Sequence, residues 1–143
     1  MRRLGQGGFA TLEVILMVTV LGILAAIAVP RFEDVTARAN TAKVQSDLTA
    51  IDTAIQLYEM NETAALTNGA DIDVLKKYLT DAENIVPPQS GKIFMGGTSA
   101  EALPSDKKYI ISSAAADKGG GFRGTFGGKT SGEFGYKPAA TSG

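Results

Sequence analysis

From residue 9 to residue 29 the chain is apolar at every position except Thr11, Glu13, Thr19 and Gly22. Such a run has no polar face, which predicts a helix with apolar surroundings on all sides, and a bilayer core needs about 20 helical residues. After Pro30 the pattern changes. Val44, Leu48, Ile51, Ile55 and Tyr58 recur at alternating steps of four and three, which puts them on one helical face. Gln45, Asp47, Asp52 and Glu59 are expected on other faces. No strong breaker lies between Arg31 and Glu62, so residues 9–62 are expected to form nearly one rod, about 80 Å long at 1.5 Å per residue. A domain of this chain's size cannot enclose that length, so the apolar half is expected to project.

Beyond residue 62 the periodicity shortens. Asn68-Gly69 marks a turn, and Asp71 is placed to cap a short helix over 71–79 that carries Ile72, Leu75 and Leu79 on one side. Pro87-Pro88 ends regular structure. Four short strands are expected at 92–95, 107–113, 121–126 and 132–137, each aromatic or β-branched and bounded by glycine or serine. An antiparallel sheet laid on the stripe from Val44 to Tyr58 would bury both apolar faces. The fold class expected is therefore α+β. Nine of the 17 glycines fall in residues 119–143, so that segment is either disordered or a hairpin with glycine tips. The hairpin is favoured, because Phe122 with Phe126, and Phe134 with Tyr136, would share faces.

Composition removes several functions. With no cysteine and no histidine, disulfides and the usual metal ligands and nucleophile–base pairs are missing. No phosphate loop or nucleophile elbow is present, so the chain reads as a non-enzyme without cofactors. Calcium would need six or more oxygens, and Asp117 with Glu133 are too few and too scattered. Charge is polarised: net +1 over 1–30, −6 over 31–106 and +4 over 107–143. That distribution fits a solvated surface, or one copy's basic surface meeting another's acidic surface.

Glu13 is the anomaly in the apolar run. A charge in mid-membrane costs at least about 2.5–3.5 kcal/mol on insertion scales, somewhat less one turn from the end. Snorkelling or protonation would relieve it. So would a cation at the same depth. A cut between Gly8 and Phe9 would create one, an α-amino group about 6 Å along the axis from Glu13 in the same molecule. In a neighbour shifted by one turn, amine and carboxylate would come level, and a well-formed pair offsets much of the desolvation. Repeated head to tail, that contact builds an open helical array. An ordinary secretory signal cut after Ala26-Ile27-Ala28 is the competing reading. The apolar run is longer than the typical signal core, and the downstream helix continues it.

The stretch Gly8-Phe9-Ala10-Thr11-Leu12-Glu13, after a basic leader with Arg2 and Arg3 and before the apolar run, resembles the class III signal of bacterial type IV prepilins and type II secretion pseudopilins. Gly22 and Pro30 fall at that family's helix-weakening positions, and the resemblance covers about residues 2–60. Ala10 and Val14 depart from its commonest residues. The resemblance implies the type IV pilin fold, with the second half of the long helix packed on a small antiparallel sheet. It implies a leader at 1–8, a transmembrane and filament-core helix at 9–30, an amphipathic continuation at 31–62 and a head at 63–143. It further implies a prepilin peptidase that cuts after Gly8 and methylates Phe9, and a subunit registered by Glu13 as it leaves the membrane through an assembly platform. Residues 23–29, between the weak points, are expected to lose helical bonding in the filament.

Three roles follow from the resemblance. The first is the major subunit of an extracellular type IV pilus used in adhesion, motility or aggregation. The second is a pseudopilin of a periplasmic filament that drives protein export. The third is a DNA-uptake pilin, in which Lys107, Lys108, Lys118, Arg123, Lys129 and Lys137 would meet phosphates, with Phe122 or Tyr136 stacking on bases.

Overall fold

The computed structural model describes residues 6–113 and 121–138. The chain divides into two compact units at Val35 and Thr36. Helix α1 spans Gln6–Asn61, 56 residues, and continues through Gly22 and Pro30. It ends where Asn61 donates its side-chain amide to the Leu57 carbonyl (2.8 Å) and the Glu62 amide bonds Tyr58 (2.8 Å). The second bond occupies a carbonyl of the last turn that would otherwise be left open.

In the first unit, the side chains of residues 7–27 are exposed throughout. α1 is long and apolar enough here to cross a membrane.

The second unit packs small sheets on the rest of α1. Strands β1 (Ala70–Asp71), β2 (Lys92–Ile93), β3 (Glu101–Ala102), β4 (Tyr109–Ser112) and β5 (Arg123–Phe126) form two sheets. One has the order β1-β4-β5, and the other pairs β2 with β3; every strand pair is antiparallel. In β4, Tyr109 and Ile111 are buried while Ile110 and Ser112 are half-buried, the period-two pattern of a strand laid on a helix. The stripe on α1 faces it as expected: Val44, Leu48, Ile51 and Ile55 are at most 1% exposed. They join Leu75, Ile93, Tyr109, Ile111, Phe126 and Phe134 in one cluster, with Tyr58 half-buried at its margin. The chain is an α+β protein.

Gly124 sets how closely β5 approaches α1. A Cβ there would stand 2.7 Å from Ile51 Cγ2, so only glycine permits this spacing.

Two expected elements differ. The helix over 71–79 is a 3₁₀ turn, Ile72–Leu75, followed by hydrogen-bonded turns. Asp71 does cap it, accepting from the Asp73 amide at 3.2 Å. The segment contains β-branched Ile72 and Val74 and is shorter than helices that hold without strong packing. Lys76 and Lys77 pair with Asp73 (3.0 Å) and Glu62 (2.9 Å) instead of ending a helix. The strand over 132–137 is absent as well. Gly127 and Gly128, with φ of 55° and 74°, make the tight turn that brings Lys129 back to Phe126. The return then leaves the sheet in a 3₁₀ turn, Ser131–Glu133. Its cause is a capping box: Thr130 receives and Glu133 returns the bonds that start a helical turn. Gly135 then pairs in parallel with Met95. Strands β1 and β3, two residues each, are elements that the periodicity did not predict.

Candidate assembly surface

The polar groups within the apolar stretch of α1 fall into two kinds. Thr11 donates to the Gly7 carbonyl (2.9 Å) and Thr19 to the Ile15 carbonyl (2.8 Å), so each hydroxyl is satisfied by its own helix. Glu13 has no such recourse. Its carboxylate is exposed and bonds no group among the described residues. Phe9, four residues before it, is 77% exposed. Beyond the adjacent residues and the local helix backbone, no atom would lie within 4 Å of a Cβ added at Gly8 or Gly22.

In the second unit Asp47 and Asp52 lie beside the buried stripe of α1, on other faces as expected, and they, with Glu62 just past the end of the helix, have partners within the chain. Asp47 accepts from Lys43 (2.6 Å) and from the Tyr109 hydroxyl (2.7 Å). Burial, reinforced by that carboxylate, pushes the Tyr109 phenol well above the usual tyrosine range. Asp52 accepts from Arg123 Nε and Nη2 through Oδ2 (2.9 and 2.7 Å) and from the Gly124 amide through Oδ1 (2.8 Å). The carboxylate holds the guanidinium still further above its ordinary value. Glu62 accepts from the Tyr78 hydroxyl (2.7 Å) and from Lys77. These two donors, Tyr78 first, lower its pKa. Gln45 donates to the Phe134 carbonyl at 3.1 Å and so ties the last described segment to α1. Gln45, Asp47 and Asp52 each sit one position beside a buried residue of the stripe. That adjacency was the available signal that they grip the sheet.

The proposed phosphate-contacting cations do not form one free set. Arg123 is engaged by Asp52, and Lys107 donates to the Gln89 carbonyl at 2.6 Å. Lys108 and Lys137 are exposed and Lys129 is half-buried. Lys118 and Asp117 lie outside the described residues. Phe122 packs against the core, while Tyr136 keeps 50% of its surface exposed. Among the described residues, no group of acids could hold a metal ion.

A core protein G of the type II secretion system from Aeromonas hydrophila is 30% identical over 106 residues, 74% of this chain and 70% of its own length. The chain belongs to the family of type IV pilins and type II secretion pseudopilins. The type IV major alpha-pilin of Moraxella bovis is 30% identical over 120 residues, 81% of this chain and 65% of that protein. A core protein G from Klebsiella michiganensis is 32% identical over 94 residues, 65% of this chain and 66% of that protein. No family model matches the chain, and no solved structure matches it significantly. For a member of this pilin and pseudopilin family, the α+β arrangement with one long N-terminal helix is the expected fold.

Proposed function

We propose that this chain is the major subunit of a type IV pilus. It enters the membrane through residues 9–30 and passes through an assembly platform into an extracellular helical filament for adhesion, motility or aggregation. A prepilin peptidase cuts after Gly8 and methylates the new amine of Phe9, which remains a cation. Glu13 of an incoming copy pairs with that amine on a copy already assembled. The observation that carries this reading is the Glu13 carboxylate, which has no partner among the described residues in a stretch whose hydroxyls are satisfied internally. The likeness to the Moraxella bovis pilin, over 81% of the chain, supports the pilus role. Gly22 and Pro30 leave residues 23–29 the weakest part of α1, and that stretch unwinds when subunits pack.

The second reading is a type II secretion pseudopilin in a periplasmic filament, favoured by the core protein G relatives. Electron microscopy of sheared surface material, with mass spectrometry of the fibres, separates the two. Long extracellular fibres whose chain starts at methylated Phe9 are expected; their confinement to the periplasm would overturn the pilus reading. A Glu13→Ala variant should still be cut at Gly8 but yield few fibres, and a normal yield would refute the pairing. Continuous helix through residues 23–29 in a filament map would refute the unwinding.

A further inference from the structure

The last described segment, folded back on α1, assembles a surface that neither the core nor the capping box requires. The Arg38 guanidinium carbon lies 5.7 Å from the centre of the Phe94 ring and 5.9 Å from that of Tyr136. The two rings meet edge to face, 5.9 Å apart at 85°. Phe94 is buried, but Arg38 and Tyr136 face solvent. The exposed Lys137 follows, held by a bond from its amide to the Gly97 carbonyl (3.0 Å). Its ammonium lies 4.0 Å from where a Cβ on Gly96 would stand. Of the acids nearby, Glu133 is turned onto the Thr130 amide and hydroxyl, and Glu101 lies beside Gly97. Among the described residues, neither Arg38 nor Lys137 has a carboxylate within ion-pair distance.

An exposed arginine ordinarily moves among many rotamers. Here two rings orient the guanidinium while its donors stay unengaged by acid, so much of the ordering that binding requires is already in place. Arginine and tyrosine are also the residue types that concentrate at the energetic centres of protein contacts. The patch is basic, whereas residues 31–106 carry net −6 and expose Asp81, Glu83 and Asp106 without ion pairs among the described residues. A basic patch repels itself, so a symmetric contact is disfavoured and a head-to-tail one favoured.

We propose that Arg38, Tyr136 and Lys137 form a docking patch for an acidic surface on the head of a second copy of this chain. The proposal rests on the filament reading above and adds a contact separate from the Glu13 pairing.

Carbodiimide coupling of assembled wild-type fibres tests it, because the reagent joins an amine directly to a carboxylate in contact. Mass mapping is expected to find Lys137 joined to an aspartate or glutamate of another copy. K137R should remove that product yet keep the fibres. R38E/K137E, with head melting checked in detergent, should lower fibre yield at least about tenfold; K137E, which touches no core residue, should lower it in the same direction. Wild-type yield from R38E/K137E, or Lys137 equally open to acetylation in fibres and in detergent monomers, would overturn the docking patch alone. Absence of fibres from the wild type would instead overturn the filament reading on which it rests.

Discussion

Replacing Asp52 by alanine removes three hydrogen bonds at one point. Its Oδ2 holds two Arg123 nitrogens, and its Oδ1 holds the Gly124 amide. That amide lies on the outer edge of β5, whose other outward donor, the Phe126 amide, bonds the Lys129 carbonyl at 3.0 Å. Asp52 and the tight turn thus satisfy the edge that could otherwise recruit a foreign strand. The Asp52 side chain is 12% exposed and that of Arg123 is 42% exposed. An amide bonded to a mostly buried carboxylate contributes about 1.5–3 kcal/mol. The ion pair, discounted for the exposed guanidinium, adds about 0.5–1 kcal/mol. Asp52→Ala should therefore destabilise the head by roughly 2–4 kcal/mol, which at about 4 °C per kcal/mol is a fall in Tm of roughly 8–16 °C. Asp52→Asn keeps an acceptor for Gly124 and should lose about 1 kcal/mol, similar to Arg123→Ala. Thermal unfolding of the full chain in detergent, followed by near-ultraviolet circular dichroism of the tyrosines, measures all three. An Asp52→Ala variant within about 0.5 kcal/mol of wild type would refute the edge-clasp account. An Asp52→Asn variant as unstable as Asp52→Ala would show that the charge, and not the Gly124 bond, dominates.

Gly124→Ala places a methyl 2.7 Å from Ile51 Cγ2, and overpacking of this kind should cost about 1–3 kcal/mol in the same melt. Gly96→Ala should be worse, because Gly96 has a φ of 87° and its Cβ would meet the rigid Glu133 carbonyl at 2.6 Å; a wild-type Tm would contradict it. The folded-state pKa of Tyr109 is raised, so its contribution is fully present below the ordinary tyrosine value near 10 and is lost as pH rises above it. Tyr78 and Lys77 shift the same way, so the Tyr109 share is the difference between wild type and Tyr109→Phe in urea midpoints at pH 8 and pH 11. The variant should lose less stability over that interval than wild type. Gln45→Ala should speed hydrogen exchange at the Gly135 and Lys137 amides, leaving β4 unchanged, since Gln45 holds the Phe134 carbonyl next to them.

The long helix and its buried stripe were legible because 3.6-residue periodicity is a property of sequence alone. Val44 to Ile55 therefore fell where expected. The sheet was legible in its two longest strands and illegible in β1 and β3. A two-residue strand carries no period, and Ala70–Asp71 is a strand only because Ile110 and Ile111 lie opposite. The misplaced strand at 132–137 had a readable cause, since Thr130 and Glu133 stand at capping-box spacing. The alternation of Phe134 and Tyr136 points to a strand, and the capping box before it prevails. On the surface, the cation–aromatic cluster was illegible. Arg38 precedes Phe94 and Tyr136 by 56 and 98 residues, and only the fold brings them together.

The carboxylates of α1 divide by surroundings. Asp47 and Asp52 border an apolar core and each has a donor from elsewhere in the chain, as desolvated carboxylates require. Glu59 is exposed in the second unit, where water serves it. Glu13 lies in the one stretch of the helix whose neighbours are almost all apolar, and no donor among the described residues reaches it. If lipid surrounds that stretch, the acid lacks both water and an internal partner. Its partner must then come from a headgroup, from a proton or from another molecule. Of these, only a second copy offers a fixed cation at a fixed depth, and only that choice makes the position of the acid, and not merely its presence, matter. Moving the glutamate one turn, to Met17 with Glu13 made leucine, should therefore abolish fibres while membrane insertion persists. Headgroup snorkelling predicts poorer insertion instead, and simple protonation predicts no change in fibre yield.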